Sequence, residues 1–352
     1  MQNAVSRSQN AVANWLLAGV LMLIVQILLG GITRLTGSGL SITEWDVVTG
    51  TLPPLNEAAW LKEFELYKTT PQYQLLNFDF QLSDFKFIFF WEWFHRLWAR
   101  IMGLVFAVGF VFFLARGSFS KIMIRPLIIL FLLGALQGAV GWIMVASGLT
   151  GDAIYVKPTR LAMHFILAMG LLCYTFWFAL QVRLGSAPVT RHRNIHNFTL
   201  LLLALLVVQL LFGALMAGHK AAPAAASWPT INGTWLPPNL WKETPLLLNF
   251  IENKITIHFI HRNLAYLFTV LMVVWFYRSA RVTGSALFSA TRFVPLALVV
   301  LQVALGVLSV LTALQIVPNR WGIFEWMAQL HQLTGMCLLL SLVWVLYLVR
   351  RK

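Results

Sequence analysis

The sequence predicts an all-α integral membrane protein with eight transmembrane helices arranged as two pseudo-symmetric four-helix bundles. Three observations predict it. Of 352 residues, 59% are hydrophobic and only 11% are charged, whereas a soluble domain carries about 25% charged residues. The apolar residues gather in eight runs, each about long enough to cross a hydrocarbon core of roughly 30 Å. The chain also repeats itself, with four runs in each half.

The runs cover residues 15–33, 87–114, 125–147, 159–182, 197–217, 254–277, 293–314 and 325–349. They are too long for membrane strands and show no two-residue alternation, so each is expected to be a helix. The fourth is the least apolar, since it opens on Thr159 and Arg160 and holds His164. Residues 1–14 are polar, and the first run is too long for a signal-peptide core, so it is expected to be retained. Two connections are long, 34–86 and 218–253; the others are short.

Charge orients the spans. With eight crossings, both long connections, 148–158 and 315–324 share one side of the membrane. The other side takes both termini and the connections 115–124, 183–196 and 278–292. That second side carries Arg7, Arg116, Lys121, Arg125, Arg183, Arg191, Arg193, Arg278, Arg281, Arg292, Arg350, Arg351 and Lys352, and no acidic residue. All 12 acidic residues fall on the first side or in its spans, so the formal net charge of +14 lies almost wholly on one face. Lys/Arg-rich short loops face the cytoplasm, which predicts a multi-pass protein with both termini cytoplasmic. The basic excess reports orientation and excludes a nucleic-acid partner; the long-lived contact is with membrane lipid.

The internal repeat sets the domain organisation, 1–182 and 183–352. Val25-Gln26-Ile27-Leu28-Leu29-Gly30 resembles Val208-Gln209-Leu210-Leu211-Phe212-Gly213. Gln137 through Gly141 resembles Gln302 through Gly306, His95-Arg96 resembles His261-Arg262, and His164 matches His331. An even number of spans per half gives the halves the same orientation, so they are expected to relate by a pseudo-twofold along the membrane normal. The four Gln-x-x-x-Gly pairs read first as close helix packing through glycine. A polar contact to a buried ligand is the second reading.

Four of the eight histidines, His95, His164, His261 and His331, stand at repeat-equivalent positions near the same depth. Polar side chains inside a bilayer are costly and default to functional hypotheses. Two imidazoles facing each other from two helices suit a haem iron, whose other four ligands come from the macrocycle. Zinc or copper would require three or four protein ligands in one shell. Proton-relay or structural histidines remain the alternative. Arg96 and Arg262 follow two of the histidines, placed to pair with haem propionates or to snorkel to headgroups. Glu92 lies three residues before His95, on the same helical face; it is either a hydrogen-bond partner of that imidazole or an ionisable group at a reacting centre. Its repeat mate is His258, which breaks the symmetry between the halves. His192 and His196 fall in the basic connection and His219 just past the fifth run, and none is expected to act.

These residues resemble the haem A synthase family over nearly the whole chain. The resemblance is carried by Gly30-Gly31-Ile32-Thr33-Arg34-Leu35-Thr36-Gly37-Ser38-Gly39-Leu40-Ser41, by Glu44-Trp45, by Thr51-Leu52-Pro53-Pro54, by Glu92-x-x-His95-Arg96, and by the histidines of the later spans. It implies an oxidoreductase of cytochrome oxidase cofactor assembly that oxidises the C8 methyl of haem O, through hydroxymethyl stages, to the formyl group of haem A. It further implies that Glu92, His95 and His164 form the substrate-haem site and that His261 and His331 ligate a resident haem b, with Arg96 and Arg262 beside the haems. The implied partners are haem O, a haem O synthase, oxidase assembly factors and a second copy of the chain; the electron donor is not identified. One branch of the family carries cysteine pairs in its outer loops, whereas Cys173 and Cys337 here fall inside spans, so the chain resembles the other branch. The N-terminus lacks a long Arg/Ser-rich transit peptide, which points to a bacterial inner membrane. Two other classes stay open on the residues alone: a di-haem b-type cytochrome that only carries electrons, and a transporter of haem or a hydrophobic solute.

Overall fold

The computed structural model describes residues 2–44, 49–185, 190–317 and 320–350; Trp45, Arg351 and Lys352 lie outside the described residues. Among these, eight helices are long and apolar enough to cross a membrane, one for each apolar run. They are α1 (Gln2–Leu35), α4 (Leu82–Ala115), α5 (Lys121–Ala146), α6 (Pro158–Leu184), α7 (Arg193–Gly218), α8 (Lys254–Ala280), α10 (Val294–Leu311) and α11 (Ile323–Leu348). Three short helices complete the set: α2 (Glu57–Lys68), α3 (Pro71–Leu75) and α9 (Ala286–Thr291). The expected division after residue 182 falls two residues inside α6.

Helix starts follow local chemistry. A helix leaves its first N–H groups without intrahelical partners, and a side-chain oxygen satisfies them. The Asp84 carboxylate accepts from the Gln81 N–H at the head of α4 (2.9 Å), and the Glu325 carboxylate accepts from the Gly322 N–H at the head of α11 (2.8 Å). Both acidic residues therefore lie within spanning helices, in addition to Glu92. Asn253 caps α8 through Ile255 (3.0 Å). His192, expected to do nothing, caps α7 by accepting from the Ile195 N–H (3.3 Å). Pro158 opens α6, where its missing N–H costs no bond.

Packing places α6 and α11 in the middle. Of their most apolar stretches, 44% and 56% of residues are buried, against 6% in α4 and 11% in α5. Around that centre, α1 and α7 both pack chiefly on α6, and both also reach α11. Each outer helix thus touches both central helices, though α6 takes the larger share from either half. Leu172, Leu202, Met272, Trp275 and Leu342 lie in one core cluster that spans both halves. Two amides of α11 cross to α1: Gln329 donates to Leu28 O (3.3 Å) and Gln332 to Ile27 O (3.1 Å). Gly31 makes that approach possible, because a Cβ there would overlap both glutamines.

The halves also differ at their flanks. In the second half α8 packs against α10, whereas their counterparts α4 and α5 scarcely touch. A Cβ built on Gly103 of α4, or on Gly134 or Gly138 of α5, would meet nothing within 4 Å. The first half is therefore open along its flank and the second is closed.

The long connections gather at one end. In 36–81, Phe64 and Tyr67 of α2, Tyr73 of α3 and Phe80 of the following turn pack against Phe85, Ile88 and Phe89 of α4, which explains why α4 starts five residues before its apolar run. Tyr67 is fully buried, donates to Gln72 Oε1 (3.1 Å) and accepts from Asn77 Nδ2 (2.7 Å). Burial pushes its hydroxyl up to about 12, so it stays a donor. In 219–253, buried Asn249 accepts from the Glu243 N–H (2.9 Å) and donates to Glu243 O (2.9 Å) and Leu246 O (3.0 Å). His219, expected to be idle, reaches Ile251 O at 2.6 Å.

Candidate functional site

A single cavity of about 1490 Å³ runs through both halves, and His95, His164, His261 and His331 all line it. It exceeds the roughly 300–1,000 Å³ of a pocket for one drug-sized ligand. α4 and α6 carry the first pair of histidines; α8 and α11 carry the second. The His261 and His331 rings stand 6.3 Å apart, centroid to centroid, with their planes 67° apart. Two imidazoles sharing one metal, each bound at about 2 Å through a ring nitrogen, have ring centres about 6 Å apart. No three His, Cys, Asp or Glu side chains group as a metal site among the described residues. The donor set is two imidazoles, which fits a haem iron and does not fit zinc.

Each imidazole is met by a glutamine from the neighbouring helix. Gln26 Nε2 lies 3.3 and 3.1 Å from the two ring nitrogens of His95, and Gln137 Nε2 lies 3.2 and 3.3 Å from those of His164. Gln209 Nε2 is 3.3 Å from His261 Nε2, and Gln302 Nε2 is 3.2 Å from His331 Nε2. One turn further on, Gly30, Gly141, Gly213 and Gly306 face the same rings. All four Gln-x-x-x-Gly pairs therefore serve the histidines. Helix packing alone was the first expectation, and spacing could not reveal what the glycines approach.

Glu92 is 3% exposed and fully engaged. Its Oε2 accepts from the Ser41 N–H (2.7 Å), the Ser41 hydroxyl (2.7 Å) and the Ile42 N–H (3.0 Å). Its Oε1 accepts from Arg96 (2.6 Å), which also donates to Ile42 O (3.3 Å). The carboxylate thus holds the first long connection, and Gln26, not Glu92, meets the His95 ring. The second half repeats this with opposite polarity. His258 Nε2 donates to Ala221 O (3.1 Å), and Arg262 donates to Ala225 O (2.5 Å), Ser227 O (2.7 Å) and Thr230 O (3.3 Å). The first connection presents N–H and O–H donors, so an acid meets it; the second presents carbonyls, so donors meet it. This polarity accounts physically for the Glu92/His258 asymmetry.

Arg262→Met is expected to free the second connection, since hydrogen bonds to charged groups contribute about 1.5–3 kcal/mol each. Faster hydrogen exchange confined to 222–234, with the spanning helices unchanged, is the expected reading; unchanged exchange there would remove the anchoring role.

Arg34, Lys220 and Arg320 also line the cavity, at the end that carries the long connections. Lys220 stands 3.6 Å over the Tyr155 ring. Desolvation, and secondarily the like charge of Arg34, lower its ammonium to about 8. Sequence reasoning did not single out these cations, because they occupy no repeat-equivalent positions.

Residues 13–343 match the family model described as cytochrome oxidase assembly protein. The chain belongs to that family. It is 43% identical over 311 residues to the heme A synthase of Paracoccus denitrificans, covering 87% of this chain and 81% of that protein. It is 42% identical over 345 residues to the heme A synthase of Rhodospirillum centenum, covering 97% and 88%. It is 37% identical over 345 residues to that of Flavobacterium johnsoniae, covering 97% and 98%.

Proposed function

We propose that this chain is a haem A synthase, an oxidoreductase that converts haem O to haem A for a terminal oxidase, with its two haems handled by the two halves. The observation that carries the two-site reading is the single cavity with two repeat-equivalent histidine pairs on it. In this reading His95 and His164 receive the substrate haem and His261 and His331 hold haem b. When bound, haem b supplies one-electron transfer. The open flank between α4 and α5 supports the assignment of halves: a substrate must enter and a product leave, whereas a resident group is best kept behind the closed α8–α10 seam. Residues 1–182 are then the substrate half and 183–352 the haem b half.

The chain's own groups divide the remaining work. Glu92, with both oxygens already accepting hydrogen bonds, is a fixed negative charge beside the substrate, placed to stabilise positive charge developing on the oxidised carbon. Arg96 and Arg262 hold the long connections over the cavity, beside the place where haem carboxylates would lie. Lys220, Arg34 and Arg320 add positive charge at the same end. Lys220 is charged below about pH 8 and loses its charge above it. Retention of the dicarboxylate substrate should therefore fall between pH 7 and 9, and Lys220→Arg should move that fall to higher pH. A pH profile identical in the variant would remove Lys220 from substrate binding.

The end bearing no acidic residue faces the cytoplasm of a bacterial inner membrane, following the charge rule. A haem O synthase, oxidase assembly factors and a second copy of this chain remain the partners to test by co-purification. The test of function is co-expression with a source of haem O, followed by chromatography of the extracted haems. Haem A, or a hydroxylated intermediate, is the expected product. Haem b alone would instead favour a cytochrome that only carries electrons.

A further inference from the structure

We propose that the first half holds a slot for the isoprenoid tail of its substrate, running from the His95/His164 pair toward the end that carries the termini. The inference rests on the reading of that pair as the haem O site. It adds what lets the site tell haem O from a haem without a tail.

The cavity is deeper in the first half than in the second. On α1, α4 and α6 its lining reaches Trp15, Phe106 and Thr175, each eleven residues beyond Gln26, His95 and His164. At 1.5 Å per residue this is about 16 Å, comparable with an extended chain of three isoprene units. In the second half the lining stops at Leu206, Thr269 and Leu338, only three, eight and seven residues beyond Gln209, His261 and His331. The repeat positions of Gly19, Phe106 and Thr175 there are Leu202, Met272 and Leu342, all fully buried in the core. The ring to be seated is the same size in both halves, so the extra depth serves something other than the ring.

Residue size follows the same division. Gly103 on α4 and Gly134 and Gly138 on α5 line the first half, where the second has Thr269, Val299 and Val303. A Cβ on any of these three glycines would meet nothing within 4 Å, and one on Gly19 would meet only Thr175 Cγ2, at 4.0 Å. The walls of this space are apolar in effect. The Thr175 hydroxyl donates to Leu171 O (2.7 Å) and the Trp15 Nε1–H to Val105 O (3.3 Å), so neither calls for a polar ligand. Arg100 is the one charged residue on this stretch among those described, and it stands nearer the histidines than the floor.

Lipid chains are as apolar as the slot, so burial alone gives the tail little. The slot acts by shape. Because α4 and α5 scarcely touch, the tail can slide in sideways from the bilayer, without crossing water, as the ring seats between the histidines. The closed α8–α10 seam offers no such path, so the second pair suits a tailless haem.

The test titrates haem O, or a second equivalent of haem b, into the haem b-loaded chain in nanodiscs and reads binding from the absorbance of the added haem. Haem b carries a vinyl group where haem O carries the tail. The double variant Gly134→Leu/Gly138→Leu fills the slot from its flank, and Gly19→Leu raises its floor, as Leu202 does in the second half. Each should weaken haem O at least about tenfold, the low end of what one methylene decides in an apolar pocket, and leave binding of the added haem b unchanged. Equal weakening of both haems would make these residues part of the ring site, and no weakening of either would leave the tail in lipid; both outcomes overturn the proposal. If Gly19→Leu fails to fold, the α5 double variant decides, since its new side chains start in open space. His95→Ala is the control: uptake of haem O unaffected there defeats the reading of the histidine pair itself, a result distinct from failure of the slot.

Discussion

Replacing His261 or His331 with alanine is expected to abolish retention of haem b, whereas replacing His95 or His164 should leave haem b bound and abolish haem A production. Changing outer-shell partners of a metal-bound histidine already costs about 10–100-fold in metal affinity, so removing the ligand itself should exceed that. The two pairs are carried by different helices, and the His261/His331 geometry is built by α8 and α11 alone. Loss at one pair should therefore not propagate to the other. Haem content of the purified variants, read as the pyridine complex, and chromatography of haems from co-expressing cells give the two readouts separately. The reverse pattern, with haem b lost from the His95 and His164 variants and kept in the others, would exchange the roles of the halves. The open α4–α5 flank would then need another explanation.

The eight spans were legible because a bilayer imposes a single length and polarity rule, which composition alone satisfies. Boundaries moved where local chemistry overrode hydropathy. α4 begins at Leu82 because Asp84 caps it and the aromatic cluster around Phe85 supports the extra turns. The helices α2 and α3 went unread, being short and set in polar sequence where no long apolar period marks them. The crosswise packing of α1 on α11 and α7 on α6, and the missing α4–α5 contact, depend on tertiary shape that a one-dimensional repeat does not encode.

The site was legible in its ligands and less so in its supports. Four level histidines stand out because polar groups in a membrane are few. The glutamines stood in plain view at repeat positions, yet what a Gln-x-x-x-Gly face approaches is a property of the neighbouring helix. The Glu92/His258 exchange was read as a difference in chemistry between the halves. The structure adds a second cause, since Ser41 and Ile42 present donors while Ala221 presents an acceptor, and main-chain polarity is invisible in residue types.

Glu92→Ala is expected to reduce haem A formation about 10²–10³-fold, the scale set by losing one preorganised electrostatic group at a reacting centre, while haem b at His261 and His331 stays bound. It should also destabilise the protein by about 3–5 kcal/mol, because Arg96 is left buried without its carboxylate. Two further variants separate these effects. Ser41→Ala removes one of the three bonds to Oε2 but keeps the charge and both main-chain donors, so activity should fall only a few-fold. Glu92→Gln preserves volume and one acceptor, but its oxygen can serve either Ser41 and Ile42 or Arg96, not both. If Glu92 acts by its charge, Glu92→Gln should be nearly as inactive as Glu92→Ala while the 36–44 segment stays as protected from hydrogen exchange as in the unaltered chain. If Glu92 served only to hold that segment, Ser41→Ala and Glu92→Gln would lose activity in proportion to the protection they lose. Haem b lost from Glu92→Ala with haem A still formed would contradict both roles and place the carboxylate at the wrong haem.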